Sequence, residues 1–318
     1  MLGEAGFHCM WSSLFKRIES TRGQIGVLQS SDGLAVAQVL SPLHVGKHRP
    51  ELVHCSFDTS DSDSLSRVTK QLSNRKQPAV AVLPTDAYHM LLVEAPDVPE
   101  DELRAAVRWR IKDLIDFHID DAVIDVFQMP QQSRGGPNQM MYAIAARADG
   151  VRSQVSAAEA AGLNLAVIDI LELSLRNVAS LLEEGAEGLA LLYLSEASSL
   201  LLLVRQGVLY LARHIETGES ALRNAGSMRA ELIAGLALEA RRSLDYFESH
   251  YEQSPISALY TSGLTAMDRE QLGRDLGISI REIEPFALFE TRLSLSPELQ
   301  RKCLPAIGAA LRRDKLTL

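Results

Sequence analysis

Gln24-Ile-Gly-Val-Leu-Gln-Ser-Ser-Asp-Gly-Leu-Ala-Val-Ala-Gln-Val-Leu40 reads as strand, turn, strand. Ile25 to Leu28 and Leu34 to Leu40 are apolar runs rich in valine, and Ser30-Ser-Asp-Gly33 between them is a polar turn closed by a glycine. The theme returns after Gly185-Ala-Glu-Gly188. Leu189-Ala-Leu-Leu-Tyr-Leu194, the turn Ser195-Glu-Ala-Ser-Ser199 and the run Leu200 to Val204 form a second apolar hairpin, and Arg205-Gln-Gly207 leads into a third strand, Val208 to Ile215. One theme used twice, about 165 residues apart, predicts a duplicated, two-lobed molecule.

Around the hairpins the pattern alternates between strand and helix. Short strands are expected at Leu52 to Phe57, Ala79 to Leu83, His89 to Val93, Ala122 to Met129, Met140 to Ala146 and Leu165 to Ile170. Helices are expected at Asp63 to Leu72, Glu100 to Phe117, Gly150 to Ala161, Leu171 to Glu184 and Arg229 to Tyr251. The Glu100 helix opens on Pro99 and on acids that suit the positive end of its dipole, with Leu103, Ala106, Val107, Ile111, Leu114 and Ile115 as its buried stripe. Such alternation means α/β architecture. Near the start, Phe7, Met10, Trp11, Leu14, Phe15 and Ile18 recur at helical spacing ahead of Arg22. That stripe is expected to dock on its own domain. Peripheral membrane contact through Phe7, Trp11, Leu14 and Phe15 is the alternative.

Composition removes several classes. The chain has 318 residues, a net charge of −9 and 46% hydrophobic residues, so a basic nucleic-acid-binding surface is not expected. Its three cysteines, Cys9, Cys55 and Cys303, make no disulfide framework. Glu196 and Arg205 interrupt the most apolar stretch, so no membrane span is expected, and the N-terminus lacks the charge order of a signal peptide. Walker A, G-x-G-x-x-G, H-E-x-x-H, C-x-x-C and G-x-S-x-G motifs are absent. His44, His48, His54 and Cys55 carry zinc-ligand chemistry, but their spacing fits no zinc module, and Pro42, Gly46 and Pro50 break any helix that would align them. Asp120-Asp121 and the acids from Asp58 to Asp63 read as solvated loops, and no metal site is expected.

Several segments carry a family resemblance. They are Ala79-Val-Ala-Val-Leu-Pro84, Val93-Glu-Ala-Pro96, Pro99-Glu-Asp-Glu-Leu-Arg-Ala-Ala-Val-Arg-Trp-Arg110, Ile115-Asp-Phe117, Val167-Ile-Asp-Ile170, Arg241-Arg-Ser-Leu-Asp-Tyr-Phe247, Thr261-Ser-Gly263 and Ile283-Glu-Pro-Phe286. With the two hairpins, the chain resembles the PilM/MshI family of type IV pilus biogenesis proteins, nearest the branch of the mannose-sensitive haemagglutinin (MSHA) pilus. The resemblance implies an α/β, two-lobed actin-like (ribonuclease H-like) fold with an insertion subdomain of the FtsA/PilM type. It divides the chain into an N-terminal amphipathic segment (1–22), a first actin-like subdomain (23–78, returning at 163–186), the insertion (79–162) and a second lobe (187–318).

It also implies a cytoplasmic scaffold, recruited to the inner face of the inner membrane by a bitopic PilN-like protein of the pilus assembly platform. That partner's cytoplasmic tail would lie in a groove beside the insertion, with Val82, Pro84, Leu91 and Trp109 as candidate lining. The chain departs from the family where phosphate chemistry would sit. The family's first hairpin reads roughly Gly-Leu-Asp-Ile-Gly-Ser-Ser-Ser; here Gly26 keeps the leading glycine, but Leu28 stands at the aspartate and Ser30 at the next glycine. In the second hairpin Tyr193-Leu-Ser195 stands for Asp-Ile-Gly. Magnesium needs hard oxygen ligands and phosphoryl transfer needs the metal's charge, which leucine and tyrosine do not supply. The expectation is therefore a non-enzyme without a cofactor. A switch that binds ATP through Ser30, Ser31, Glu239, Arg242 and Gly263, with little or no hydrolysis, is the alternative.

Overall fold

The computed structural model describes residues 23–40, 49–59, 64–132, 139–182 and 187–313. Strands β1 (Gln24–Ser30) and β2 (Gly33–Leu40) form the expected antiparallel hairpin, and β3 (Glu51–Asp58) pairs antiparallel with β2. A short helix α1 (Ser64–Thr69) leads to β4 (Pro78–Val82), which lies parallel to β1. The chain then leaves this sheet. Strand β5 (Tyr88–Glu94), helix α2 (Leu103–Ile111), β6 (Ala122–Gln128) and β7 (Met140–Arg147) build a separate antiparallel sheet in the order β5-β7-β6. Helix α3 (Ala148–Ala160) brings the chain back to β8 (Asn164–Asp169), parallel to β4, which completes the first sheet as β3-β2-β1-β4-β8.

Helix α4 (Leu171–Leu182) crosses to the second lobe. There β9 (Leu189–Leu194), β10 (Ser199–Arg205) and β11 (Val208–Ile215) form an antiparallel meander, followed by α5 (Glu219–Asn224) and the long α6 (Arg229–Tyr251). Strand β12 (Ala258–Ser262), helix α7 (Ala266–Leu276) and β13 (Ser279–Glu282) add the parallel side, and α8 (Pro297–Lys302) and α9 (Leu304–Ala310) end the described chain. The second sheet runs β11-β10-β9-β12-β13, which repeats the first strand for strand.

The lobes exchange their last helices. Leu175, Val178, Ala179 and Leu182 of α4 pack on Leu189, Leu191, Leu200 and Leu202 of the second sheet. Ala306, Ile307 and Ala310 of α9 pack on Ala35, Ala37 and Val39 of the first. The two helices also touch each other: Ser174 donates to the Pro305 carbonyl, and Asn177 Nδ2 donates to the Gly308 carbonyl at 2.9 Å. Among the described residues no helix is long and apolar enough to cross a membrane.

Two sequence expectations are corrected. The insertion is narrower than 79–162: β4 at its start belongs to the first sheet, and Ala158 and Ala161 at its end pack against Ile25, Val27 and Ala79 of that sheet. The Glu100 helix begins as a single 3-10 turn and stops at Ile111, which leaves Leu114 exposed. Acids oppose the negative end of a helix dipole, and Asp116 is drawn away to His89 (2.8 Å) and Arg147 (3.3 Å) on the insertion strands. Of the residues with zinc-ligand chemistry, His54 pairs with Ser56 on β3 and Cys55 is buried against Cys303, while His44 and His48 lie outside the described residues. The stripe at residues 7–18, with Phe7, Trp11, Leu14 and Phe15, is outside them too.

Candidate functional site

The registers of the two sheets place Leu28 and Tyr193 at equivalent positions. Leu28 is the last β1 residue paired with β4, and Tyr193 is the last β9 residue paired with β12. Each precedes its serine-bearing turn, and the two turns face each other across a cleft of about 530 Å³ between the lobes. Leu28, Leu171 and Tyr193 give the cleft an apolar floor. Its rim carries Ser30, Ser31 and Asp32 from the first turn, Thr85 and Asp86 from the start of the insertion, Ser195 and Glu196 from the second turn, and Glu219, Arg223, Arg301 and Lys302 from α5 and α8.

The rim charges are largely matched among themselves. Arg223 holds both oxygens of Glu196, at 2.9 and 3.0 Å. Lys302 pairs with Glu298 at 3.1 Å and lies over the Phe57 ring. Arg301 Nε is 3.7 Å from Glu219, and burial lifts the Glu219 carboxyl above the usual carboxylate range against the pull of Arg301. Tyr193 is buried in the floor, which pushes its phenol well up, with Glu219 and Asp32 adding to the effect. It stays neutral at any physiological pH.

These residues do not fit a magnesium–triphosphate group. A phosphate chain here would meet Asp32, Asp86, Glu196 and Glu219 on the rim, against three cations that are each already paired with a carboxylate. The floor offers no carboxylate to a hard cation. Among the described residues no cluster of three or more histidine, cysteine or acidic side chains is arranged to hold a metal.

The candidate nucleotide contacts are only partly brought together. Ser30 and Ser31 line the cleft, and Gly263 lies behind its wall against Glu219 and Arg301. Glu239 and Arg242 sit on α6 outside the cleft lining and bind each other at 2.7 Å, with Arg213 on the far side of Glu239 at 2.8 Å. The candidate groove residues do not share one surface. Val82 has no exposure at all and is core of the first sheet, a consequence of β4 being a central strand with both faces covered. Pro84 borders the cleft, Leu91 packs into the core beneath α2, and Trp109 is 70% exposed on α2 beside Lys112. Leu171, Glu219 and Arg301 complete the cleft without any sequence motif of their own.

A family model described as type IV pilus assembly protein PilM matches residues 57–223. No curated protein matches the chain. Among solved structures, the chain is similar to one described as the PilM–PilN type IV pilus biogenesis complex, at 22% identity and a TM-score of 0.68, over 91% of this chain and 98% of that one. It is also similar to the cytoplasmic domain of EpsL, an inner membrane component of the type II secretion system of Vibrio cholerae, at 11% identity and a TM-score of 0.51, over 93% and 98%. A Bacteroides thetaiotaomicron protein of actin-like ATPase fold and unknown function matches at 10% identity and a TM-score of 0.51, over 91% and 98%. The fold is thus actin-like, with two lobes, an inter-lobe cleft and an inserted subdomain.

Proposed function

The chain belongs to the family of the type IV pilus assembly protein PilM, and we propose that it serves a pilus assembly platform as a scaffold that does not hydrolyse nucleotide. Its partner in this reading is a PilN-like inner-membrane protein, captured by its cytoplasmic tail, so that the chain works at the inner face of the inner membrane. Within the family it belongs with the MSHA-type systems, on the hairpin and insertion residues quoted above. Family membership supports the platform role, and the similarity to a PilM–PilN complex supports the partner.

One observation carries the non-catalytic part: the paired strand ends that face the cleft are Leu28 and Tyr193, not carboxylates. Phosphoryl transfer rests on metal charge and positioning, and an apolar floor under a mostly self-paired rim provides neither. What the cleft retains is a pair of serine-bordered turns, one from each lobe.

Calorimetry of the full chain at millimolar ATP, with and without magnesium, combined with capture by a synthetic PilN-like tail, tests this. The expected result is tail capture that is unchanged by ATP, with no nucleotide heat. Magnesium-dependent heat together with ATP-dependent capture would replace the scaffold with a nucleotide switch acting through Ser30 and Ser31.

A further inference from the structure

The insertion is continuous with the first lobe but fastened to the second. One face of its sheet presents Met90 and Phe127, which pack against the clusters of the second sheet, while Met129 and Tyr142 are members of the second-lobe core itself. Tyr142 hydrogen-bonds the Ala212 backbone of β11, and Gln132 Nε2 donates to the Tyr246 hydroxyl of α6 at 2.9 Å.

At the centre of this contact is Glu172, on the first turn of α4 and fully buried. Its Oε2 accepts from the Tyr88 hydroxyl of β5 at 2.7 Å, and its Oε1 is 2.7 Å from His214 Nε2 on β11. The Leu171 amide donates to the same Tyr88 oxygen at 3.3 Å. Burial and the adjoining carboxylate push the Tyr88 phenol well up, so it remains a donor. One carboxylate thus joins three bodies: the insertion, the helix that crosses between the lobes, and an edge strand of the second lobe. A carboxylate taken wholly out of water is strongly disfavoured unless its oxygens are satisfied. Among the described residues no lysine or arginine partners it, and Tyr88 and His214 supply its bonds.

The joint also reaches the cleft. Leu171, the neighbour of Glu172, is part of the cleft floor, and Pro84, Thr85 and Asp86, which lead into β5, form one wall. Because α4 packs on the second sheet, the His214 bond holds Glu172 within the second lobe, and a change in the angle between the lobes that carried the insertion along with the first would strain the Tyr88 bond. A rotation of the insertion would break the Tyr88 bond.

We propose that Glu172 pins the insertion to the second lobe, so that the cleft and the insertion move as one body. The pin holds the lobes at a set angle without any ligand between them. This coupling does not depend on what occupies the cleft or binds the insertion.

Hydrogen–deuterium exchange of the full chain, wild type against Tyr88→Phe, Glu172→Gln and His214→Ala, tests the pin. Tyr88→Phe keeps the ring, Glu172→Gln keeps the shape, and His214 is already half exposed, so all three variants are expected to fold. Tyr88→Phe and His214→Ala each remove one bond and should speed exchange about tenfold in β5, in β11 and in both cleft turns, residues 30–33 and 195–198. Glu172→Gln, whose oxygen still accepts from Tyr88 and whose amide can donate to His214 Nε2, should stay closer to wild type. Exchange in β2 and β3 should be unchanged. Faster exchange confined to the neighbours of the altered residue, with the turns unmoved, would overturn the proposal. So would a uniform rise across both sheets, which would mean that Glu172 contributes only general stability.

Discussion

The two lobes share one topology but meet their helices at different distances. In the first lobe Gly26 occupies the centre of β1, paired with Val80, and in the second the corresponding residue is Leu191, paired with Tyr260. A Cβ on Gly26 would land on the Ala306 carbonyl oxygen and crowd the Ala310 amide of α9. A Cβ on Gly308 would likewise land on the Ser174 carbonyl of α4. So α9 sits directly on the backbone of β1, locked by glycine on both sides. Helix α4 instead meets the second sheet through a leucine-rich cluster that includes Leu175 and Leu191. One strand plan therefore supports two kinds of joint. Backbone-to-backbone contact fixes a position rigidly, whereas side chains interdigitate and tolerate repacking.

The sharpest way to break the comparison is to exchange the two kinds of contact. Gly26→Val should cost more than the roughly 3 kcal/mol common for overpacked cores, because backbone and not a side-chain tip stands in the way. Leu191→Ala opens a cavity at the matching place and should cost about 3 kcal/mol while leaving the fold and its cooperativity intact. Denaturant unfolding of both variants reads the difference. Equal costs would mean that α9 can back away from β1, and the distinction between the joints would fail.

This asymmetry also explains what the sequence could disclose. The hairpins were legible because turn residues and apolar runs are local signals, and their repetition carried the two-lobed plan. The α9 helix was not. Leu304-Pro-Ala-Ile-Gly-Ala-Ala310 is buried on every side, so no polar face gives it a period, and its small residues matter only through what lies across from them. Val82 shows a legible signal read the wrong way: Ala79-Val-Ala-Val-Leu83 is a continuous apolar run, the mark of a strand covered on both faces, and such a residue cannot line a groove. In the cleft, the positions of Leu28 and Tyr193 were readable against the family's hairpin. Leu171, Arg301 and the bond from Tyr88 to Glu172 depend on contacts between distant parts of the chain.

The lobes differ again between their fourth and fifth strands, where the first carries the insertion and the second carries only α7. That helix is secured at its start by a capping box, with Thr265 accepting from the Asp268 amide at 3.2 Å and Asp268 accepting from the Thr265 amide at 2.9 Å. Arg229 grips both Asp268 oxygens, at 2.9 and 2.7 Å. Burial opposes ionisation of this carboxyl, but the Arg229 and Thr265 hydrogen bonds outweigh it and bring it down to about 2, from 3.8. A depressed carboxyl stabilises the fold above its unfolded-state value and loses that contribution as pH falls through the folded one. Asp268→Asn should therefore cost about 2 kcal/mol at neutral pH, and the gap to wild type should close between about pH 4 and pH 2. A gap that persists in acid would assign the loss to capping geometry and not to charge.

The smallest difference is between the cleft turns. In the second, the Ser195 hydroxyl donates to the Ser198 carbonyl at 2.9 Å and accepts from the Ser198 amide at 3.2 Å, closing a four-residue loop on itself. In the first, the Ser30 hydroxyl reaches the Gly33 carbonyl at 3.4 Å and the Asp32 amide at 3.3 Å, around a turn already closed by the β1–β2 ladder. The second turn is closed by backbone as well, with the Ser195 amide donating to the Ser198 carbonyl at 2.8 Å, so the two turns differ in their side-chain bonds, and the shorter ones should matter more. Ser195→Ala should cost about 1 kcal/mol and Ser30→Ala only a few tenths, measured by denaturant midpoint at constant slope. The reverse order would mean that the first turn, for all its longer bonds, contributes more to stability than the second.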